Sequence, residues 1–359
     1  MVAGVATQFQ RNGLWVPAFA GTTTTGEEMS GIPITFACGL YDRMLALHTG
    51  DVKPDGIDLN FLAIDHAREI FDRMLTNLEF DACEMSSSEY IRHAVRPNCP
   101  MVAIPVFPSR VFRHGYITID KRQIKEPKDL AGKRIGVPLY AMTAAIFMRG
   151  LLQHDHGVDL SGVTWVEGGT NDTRPHGAPS NVPLTRKVAI EPHSATRSLN
   201  DMLEKGDIAA LISSGLPKAL KTNPNIARLF PDYRAREIDY VKRTGIFPIM
   251  HLVVIRRDIY EKHPFVATSL FNACWAARVI AARKMRELGT LRYMLPWMAS
   301  EIEEIDSIFG GADPWPYGIE PNRPTLEALV QYLADQALIE KPVPIEDLFV
   351  PIYGQEAKG

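Results

Sequence analysis

Three cationic or titratable side chains, Arg110, Arg113 and His114, follow directly on an apolar run of the chain. Phe107 and Phe112 lie among them, so aromatic rings accompany the charges. Guanidinium groups grip carboxylates through two parallel hydrogen bonds, and aromatic faces accept flat rings. The cluster therefore predicts a pocket for a planar, doubly anionic ligand such as an aromatic acid. The alternative is an edge strand whose arginines point into water, which is the usual place of a lone arginine.

The 359 residues are 46% hydrophobic and 23% charged, which is typical of a soluble globular protein long enough for two domains. A formal net charge of -3 provides no broad basic surface, and this argues against nucleic acid as a partner. Four cysteines are scattered without a C-x-x-C pair. We therefore expect reduced thiols rather than disulfides or a structural zinc site.

Residues 1–30 contain one arginine, a threonine tract and no apolar run of signal-peptide length. We interpret them as a disordered leader or as a misassigned start upstream of Met29. No later run of the sequence reaches the roughly 18 uninterrupted apolar residues that a membrane span needs. A cytoplasmic protein without a membrane partner is the expectation.

From residue 32 onward, short strand-like runs alternate with helical patterns, which favours an α/β protein with mainly parallel sheets flanked by helices. The pattern predicts two lobes. Residues 31–117 and 248–359 form domain 1, and residues 118–247 form an inserted domain 2. The chain crosses between the lobes near 104–118 and 247–255, so a ligand cleft is expected there. Residues 170–187 are predicted to be a mobile surface loop.

A helix predicted to begin at Thr143 faces the carboxyl end of the preceding strand. Its free N–H groups and positive dipole end are suited to a carboxylate or phosphate. An ordinary strand-to-helix turn that binds no ligand is an equally good interpretation.

Several segments of the sequence resemble segments of known protein families. The segment Asp129–Val137 is similar to the segment with which the second domain of type II periplasmic-binding proteins begins. This resemblance implies the two-lobed fold of those proteins. A larger set of segments, spread over this chain from about residue 33 to the end, resembles the 4,5-dihydroxyphthalate decarboxylases. These segments are Phe36–Arg43, Glu84–Ser86, Ile104–His114, Met142–Ala144, Thr244–His251 and Trp315–Arg323.

This resemblance implies a carboxy-lyase that converts a small aromatic acid, 4,5-dihydroxyphthalate, to protocatechuate without an organic cofactor. Such an enzyme needs a carboxylate clamp, for which Arg110 and Arg113 are the candidates. It also needs a general acid, with His251 as first choice and His114 as second. Glu84 either accepts a proton from a substrate phenol or forms an ion pair that holds Arg110 or Arg113.

Further side chains are candidate substrate contacts: Asp42, Arg43, Ser86, Met142, Thr143, Phe247, Tyr317 and Arg323. Tyr317 has core packing as its alternative role. We expect no structural metal, because His154 and His156 end a helix and adjacent surface histidines usually bind nothing. A divalent ion in the cleft stays an open alternative, since catecholic diacids chelate metals. The sequence also leaves open a homo-oligomer and the identity of the hydroxylated acid.

The second function considered is a solute-binding protein that captures an aromatic or other small organic acid for an ABC transporter. The same two-lobed fold and the same arginine clamp could bind the acid in such a protein. The absence of an export signal from the sequence argues against this function. Release of carbon dioxide, as opposed to saturable binding alone, separates the two.

Overall fold

The structure, a computed structural model, describes residues 31–177, 182–192 and 195–353. The predictions for residues 1–30 lie outside this range. Residues from Gly31 onward belong to one compact unit. The division into two domains at residues 117 and 248 therefore stays a prediction.

Two sheets contain the strands of the described residues. These strands are β1 (Ile32–Cys38), β2 (Ile57–Ala63), β3 (Ala82–Ser86), β4 (Met101–Arg110), β5 (Ile117–Asp120), β6 (Arg134–Val137), β7 (Thr164–Glu167), β8 (Ile190–Glu191), β9 (Ala210–Ile212), β10 (Ile226–Arg228) and β11 (Ile249–Arg256).

Helices flank both sheets. They are α1 (Asp42–His48), α2 (Ala67–Asn77), α3 (Ser87–Ala94), α4 (Thr143–Gly150), α5 (Leu199–Lys205), α6 (Ala219–Thr222), α7 (Tyr233–Thr244), α8 (Arg257–Lys262), α9 (Phe265–Met285), α10 (Met298–Phe309) and α11 (Arg323–Asp335).

The first sheet has the strand order β2-β1-β3-β11-β4. Strands β1, β2 and β3 are parallel, whereas β11 runs antiparallel to both β3 and β4. Strands β4 and β11 are almost wholly buried, as the apolar runs in their sequences require. The register between them shifts on both sides of His251. Such bulges re-aim side chains and are common beside active sites.

The second sheet has the order β10-β5-β9-β6-β7-β8. Strands β6, β7, β8 and β9 pair in parallel, and β5 is antiparallel to β9 and β10. All of these strands lie between residues 117 and 228, so the chain leaves the first sheet after β4 and re-enters it at β11. The predicted α/β fold class is confirmed: the described residues form two lobes, each a sheet flanked by helices and each mixed where the chain crosses.

The loop predicted over residues 170–187 has no helix or strand in its described parts, and its mobility stays a prediction. Helix α10 begins at Met298, and a segment without regular structure precedes it. Residues 288–297 form turns whose apolar side chains, such as Met294 and Trp297, are exposed.

Within the described residues, α9 is the one helix long and apolar enough to cross a membrane by length and composition. Only 50% of its most apolar window is buried, and the helix packs against α1 and β4. The core helix of a soluble protein meets the same criteria, so α9 is weak evidence for a span. The cytoplasmic location stays a prediction.

Gly150 ends α4 where that helix packs on α11. A Cβ at this position would overlap the ring of Tyr332, which is buried and packs against Phe147 at a centroid distance of 6.0 Å. Glycine therefore allows the two helices to approach closely, and α4 is held in place by that contact. This matters because the N-terminus of α4 lies at the candidate site described below.

We predict that Gly150→Ala lowers the free energy of unfolding by about 1 to 3 kcal/mol, the usual range for overpacking a core. Denaturant unfolding measures the change. Gly215→Ala is the control, because a Cβ at Gly215 meets no atom within 4 Å. It should change stability by less than about 0.5 kcal/mol. Equal stability of the two variants would contradict close packing at Gly150.

Candidate active site

A cavity of about 190 Å³ lies where the chain crosses between the two sheets. Several of its polar side chains come from elements of the first sheet and its helices: Arg68, Ser86, Glu89 and His251. Others come from the crossing after β4 and from the second lobe: Arg113, Thr143, His176 and Ser214. Pockets for drug-sized ligands usually measure roughly 300 to 1,000 Å³. This cavity is therefore suited to a molecule with a single ring.

Glu84 and His251 form the central polar pair of the site. Glu84 lies in the middle of β3 and is completely buried, and the diagonal pairing of β3 with β11 brings His251 next to it. His251 Nδ1 is 2.5 Å from Glu84 Oε1. The Tyr41 hydroxyl donates to the same oxygen at 2.8 Å, and the Gly39 N–H donates to Oε2 at 3.0 Å.

These contacts decide the charge on Glu84. Burial acts to raise the pKa of Glu84, but the charge and hydrogen bond of His251, with the Gly39 and Tyr41 donors, outweigh it and hold the pKa below its ordinary value. Burial and the nearby carboxylate also raise the pKa of Tyr41, so its hydroxyl stays protonated as a donor. An ionised Glu84 only accepts hydrogen bonds, and Nδ1 of His251 must therefore carry a proton.

The other ring nitrogen of His251 is left for a ligand. The side chain is 20% exposed and lines the cavity, and its ring meets the edge of Phe71 at a centroid distance of 4.9 Å. Within the described part of the chain, no group is hydrogen-bonded to Nε2. Because Glu84 and Phe71 fix the ring, Nε2 is a proton donor or acceptor in a set position.

Arg113 supplies a positive charge that forms no ion pair with a carboxylate among the described residues, and Glu237 acts on its pKa only through space. It is 8% exposed, and its guanidinium contacts Met250 Sδ at 3.3 Å and the Ser214 carbonyl oxygen at 3.5 Å. Burial lowers the pKa of Arg113 to about 10, so the group is still a cation at neutral pH. A buried cation is stable when an anion pairs with it. Arg113 therefore indicates where an anionic ligand group binds.

Helix α4 adds a second attraction for anions. Met142 and Thr143 line the cavity at its N-terminus, where the helix dipole is positive. The Thr143 hydroxyl lies 2.9 Å from the hydroxyls of both Ser86 and Ser88. This cluster ties the start of α4 to the start of α3, which joins the two lobes. Ser86, Met142 and Thr143 thus lie at the cavity where the sequence predicted ligand contacts.

Arg110 does not reach this cavity. Its guanidinium is buried against the ring of Phe247 at 5.1 Å and donates hydrogen bonds to the Asn322 side chain and the Pro314 carbonyl. Burial lowers the pKa of Arg110 to about 9. The prediction of an Arg110 and Arg113 clamp is corrected: Arg110 ends β4 and packs against Phe247, whereas Arg113 lies in the irregular segment after the strand, which turns it into the cavity.

Two further predictions need the same correction. His114 lies outside the cavity, with Nδ1 3.6 Å from Glu237 on α7 and its ring against Tyr240. Glu84 forms no ion pair with Arg110 or Arg113, since both of its oxygens are occupied by His251, Tyr41, Gly39 and Cys38. The same contacts separate Glu84 from a substrate phenol.

The other predicted contacts are spread over the molecule. Asp42, Arg43 and Phe247 line a separate apolar groove of about 650 Å³ beside α9 and α10. Tyr317 is buried under Arg278, in the packing role that was its alternative. Arg323 lies on the surface and forms ion pairs with Glu320 and Glu346. None of these five is brought to the cavity that contains His251.

The cavity is also lined by residues that were not predicted from the sequence, above all Arg68, Phe71 and His176. Arg68 and Phe71 lie on α2, which follows the carboxyl end of the parallel strand β2. Ligands bind at the carboxyl ends of parallel strands, so this position was a signal. Nothing in the loop around His176 distinguished it. Among the described residues, no group of three or more His, Cys, Asp or Glu side chains is arranged to hold a metal ion.

The Glu84 pair predicts a pH dependence of stability. Because its pKa is lower in the folded protein than in the unfolded chain, Glu84 stabilises the fold above the unfolded pKa, and this contribution is lost as the pH falls through the folded pKa. We expect Glu84→Gln to lose about 3 kcal/mol at pH 7 and less in acid. Denaturant unfolding as a function of pH measures this.

The exposed Glu327→Gln substitution on α11 is the control and should give a small difference at every pH. A constant difference between wild type and Glu84→Gln from pH 7 into acid would contradict an ionised Glu84.

A family model and a solved structure are similar to this chain. Residues 85–185 match the family model described as NMT1/THI5 like. The periplasmic aliphatic sulphonate-binding protein SsuA of Escherichia coli is similar in structure with a TM-score of 0.45 and 11% identity, covering 89% of this chain and 92% of that one.

Two enzymes are similar in sequence. The 4,5-dihydroxyphthalate decarboxylase of Pseudomonas putida is 36% identical over 218 residues, which cover 60% of this chain and 83% of that enzyme. The 4,5-dihydroxyphthalate decarboxylase of Comamonas testosteroni is 32% identical over 327 residues, which cover 90% of this chain and 98% of that enzyme. This chain is a member of the 4,5-dihydroxyphthalate decarboxylase family of enzymes.

Proposed function

We propose that the protein decarboxylates a hydroxylated aromatic dicarboxylic acid, with 4,5-dihydroxyphthalate as substrate and protocatechuate as product. One observation carries the proposal: an imidazole fixed by a buried carboxylate and a buried, unpaired guanidinium line the same small cavity. The first supplies a proton, and the second binds a carboxylate. The family membership supports the same reaction.

The chemistry needs few groups. In 4,5-dihydroxyphthalate each carboxylate is para to a hydroxyl, which pushes electron density to the carbon that bears the carboxylate. That carbon takes a proton, its bond to the carboxylate breaks, and the electron pair of that bond restores the aromatic ring as carbon dioxide leaves. The substrate itself holds the electrons that the step needs, so we propose no organic cofactor.

His251 is the proposed proton donor. Its Nε2 is free for the ligand, whereas Nδ1 is held by Glu84. When Nε2 also carries a proton, the ionised Glu84 neutralises the charge on the ring. Glu84 and Tyr41 act through His251 and are positioning residues. A positioned acid contributes about 10²- to 10⁴-fold to the rate.

Arg113 is the proposed partner of the carboxylate that the product retains. The N-terminus of α4 and the Ser86 hydroxyl lie along the same cavity and favour negative charge. When the retained carboxylate is fixed on Arg113, the neighbouring ring carbon, which bears the departing carboxylate, faces another wall of the cavity. The dimensions of the cavity favour one ring with small substituents over larger aromatic acids.

We predict that His251→Ala lowers the rate of carbon dioxide release from 4,5-dihydroxyphthalate by at least about 100-fold and changes the Kd for the product by only a few fold. Carbon dioxide release and calorimetric titration measure the two effects. Turnover near the wild-type rate would remove His251 as the acid. Saturable binding by the wild-type protein with no carbon dioxide release would instead favour the solute-binding alternative.

A matched pair of arginine substitutions tests the anion site. We expect Arg113→Gln to weaken binding of phthalate and of benzoate by about tenfold or more each, since each ligand loses the charge-assisted bond to a carboxylate. Arg110→Gln removes an equally buried guanidinium that lies outside the cavity. It should leave both Kd values within a few fold of the wild type. If Arg110→Gln weakened binding and Arg113→Gln did not, the assignment of the anion site would be reversed.

A further inference from the structure

We propose that Glu89, held by Arg68, binds the hydroxyl para to the departing carboxylate and accepts its proton during the reaction. This inference rests on the proposed function and adds the group that recognises the hydroxylated edge of the substrate. It assigns a catalytic role to a wall of the cavity that the mechanism above does not use.

Glu89 is placed in the cavity by the start of α3. It is the third residue of that helix, one turn beyond Ser86, and both residues line the cavity. Its carboxylate is 1% exposed and accepts hydrogen bonds from Arg68 Nη1 at 3.1 and 2.9 Å. Arg68 lies on α2 and is the only residue that forms an ion pair with Glu89 within the described ranges.

Arg68 is not available to bind a substrate carboxylate. Its Nε donates to Asp72 at 2.8 Å while Nη1 donates to Glu89, so one cation faces two carboxylates. Arg92 adds positive charge near Glu89 from the same helix, but it does not line the cavity. The positive charge of Arg68 on this wall is thus already paired, and the Glu89 carboxylate can accept hydrogen bonds from neutral donors such as phenol hydroxyls.

The two walls match the two edges of the substrate. Arg113 and α4 attract carboxylates, and no ion pair joins Arg113 to Glu89 among the described residues. In 4,5-dihydroxyphthalate the carboxylates lie on one edge of the ring and the hydroxyls on the opposite edge. A cavity with a cationic wall and a separate acceptor wall fits that arrangement, and it distinguishes the substrate from phthalate, which has no hydroxyls.

The protonation properties of this wall are consistent with a base. Burial raises the pKa of Glu89 above its ordinary value, so its carboxylate is a better proton acceptor than an exposed one. His176 lies on the same wall, and burial next to Arg68 lowers its pKa. A neutral His176 can accept a hydrogen bond from the second hydroxyl. Arg68, Asp72 and Arg92 are charged groups that act on the pKa of Glu89, and Arg113, His176 and His251 line the cavity with it.

The complete step then balances. The proton of the para hydroxyl moves to Glu89, the electrons of its oxygen shift into the ring, and the carboxylate-bearing carbon forms a bond with the proton of His251 Nε2. The bond to the carboxylate breaks, carbon dioxide leaves, and the returning electron pair restores the phenolate oxygen. Glu89 gives its proton back to that oxygen. One proton from His251 is consumed for each carbon dioxide released.

The test is Glu89→Gln, which keeps the shape of the side chain and cannot take up the proton. We expect kcat to fall by at least about 100-fold at neutral pH and the loss to shrink at alkaline pH, where the substrate hydroxyl ionises without a base. We also expect the preference for binding 4,5-dihydroxyphthalate over phthalate to fall by about tenfold. The Kd for phthalate itself should stay within a few fold, which shows that the variant is folded.

Asp72→Asn is the matched control, because it removes the other carboxylate partner of Arg68 and Asp72 does not line the cavity. It should keep the wild-type preference for the hydroxylated ligand. If Glu89→Gln keeps that preference and its pH profile follows the wild type, Glu89 is structural and the inference is wrong. If instead wild-type protein binds neither compound and releases no carbon dioxide, the proposed function itself fails.

Discussion

The buried carboxylate of Glu84 is the interaction on which the site depends. A charge that is completely removed from water is stable only with partners, and four neighbouring groups supply them: His251, Tyr41, Gly39 and Cys38. Three of these groups lie at the carboxyl end of β1, and the fourth lies on β11. The carboxylate therefore fixes two strand ends and an imidazole at once. The bulges on both sides of His251 are consistent with that constraint.

The path of the chain explains why the pair faces a cavity. Strand β11 is the returning segment of the first sheet, and it lies between β3 and β4. Residues that are far apart in sequence, from 67 to 251, thus line one space. The hydroxyls of Ser86, Ser88 and Thr143 and the packing of α4 on α11 hold the second lobe against it. The same contacts place a positive helix end beside Arg113.

Much of the fold could be predicted from the sequence, because apolar runs and helical periodicity report burial directly. The choice of His251, Glu84, Arg113 and Thr143 as site residues also followed from polar side chains at strand and helix ends. Arg110 could not be separated from Arg113 in this way. The irregular segment after β4 decides which guanidinium turns inward, and sequence spacing carries no information on it. The pairing of Glu84 with His251 depends on strand order, which the sequence does not state.

The contribution of α2 was missed for a related reason. Only the packing of α2 against α3 brings Arg68 and Phe71 next to Glu89, the carboxylate that Arg68 holds.

The measurement that tests the central claim most directly is a crystal structure of the protein with protocatechuate bound. The account predicts the ring in the cavity, its carboxylate on Arg113, and His251 Nε2 facing the ring carbon next to that carboxylate. A ring bound instead in the groove beside Arg43 and Trp315 would contradict it.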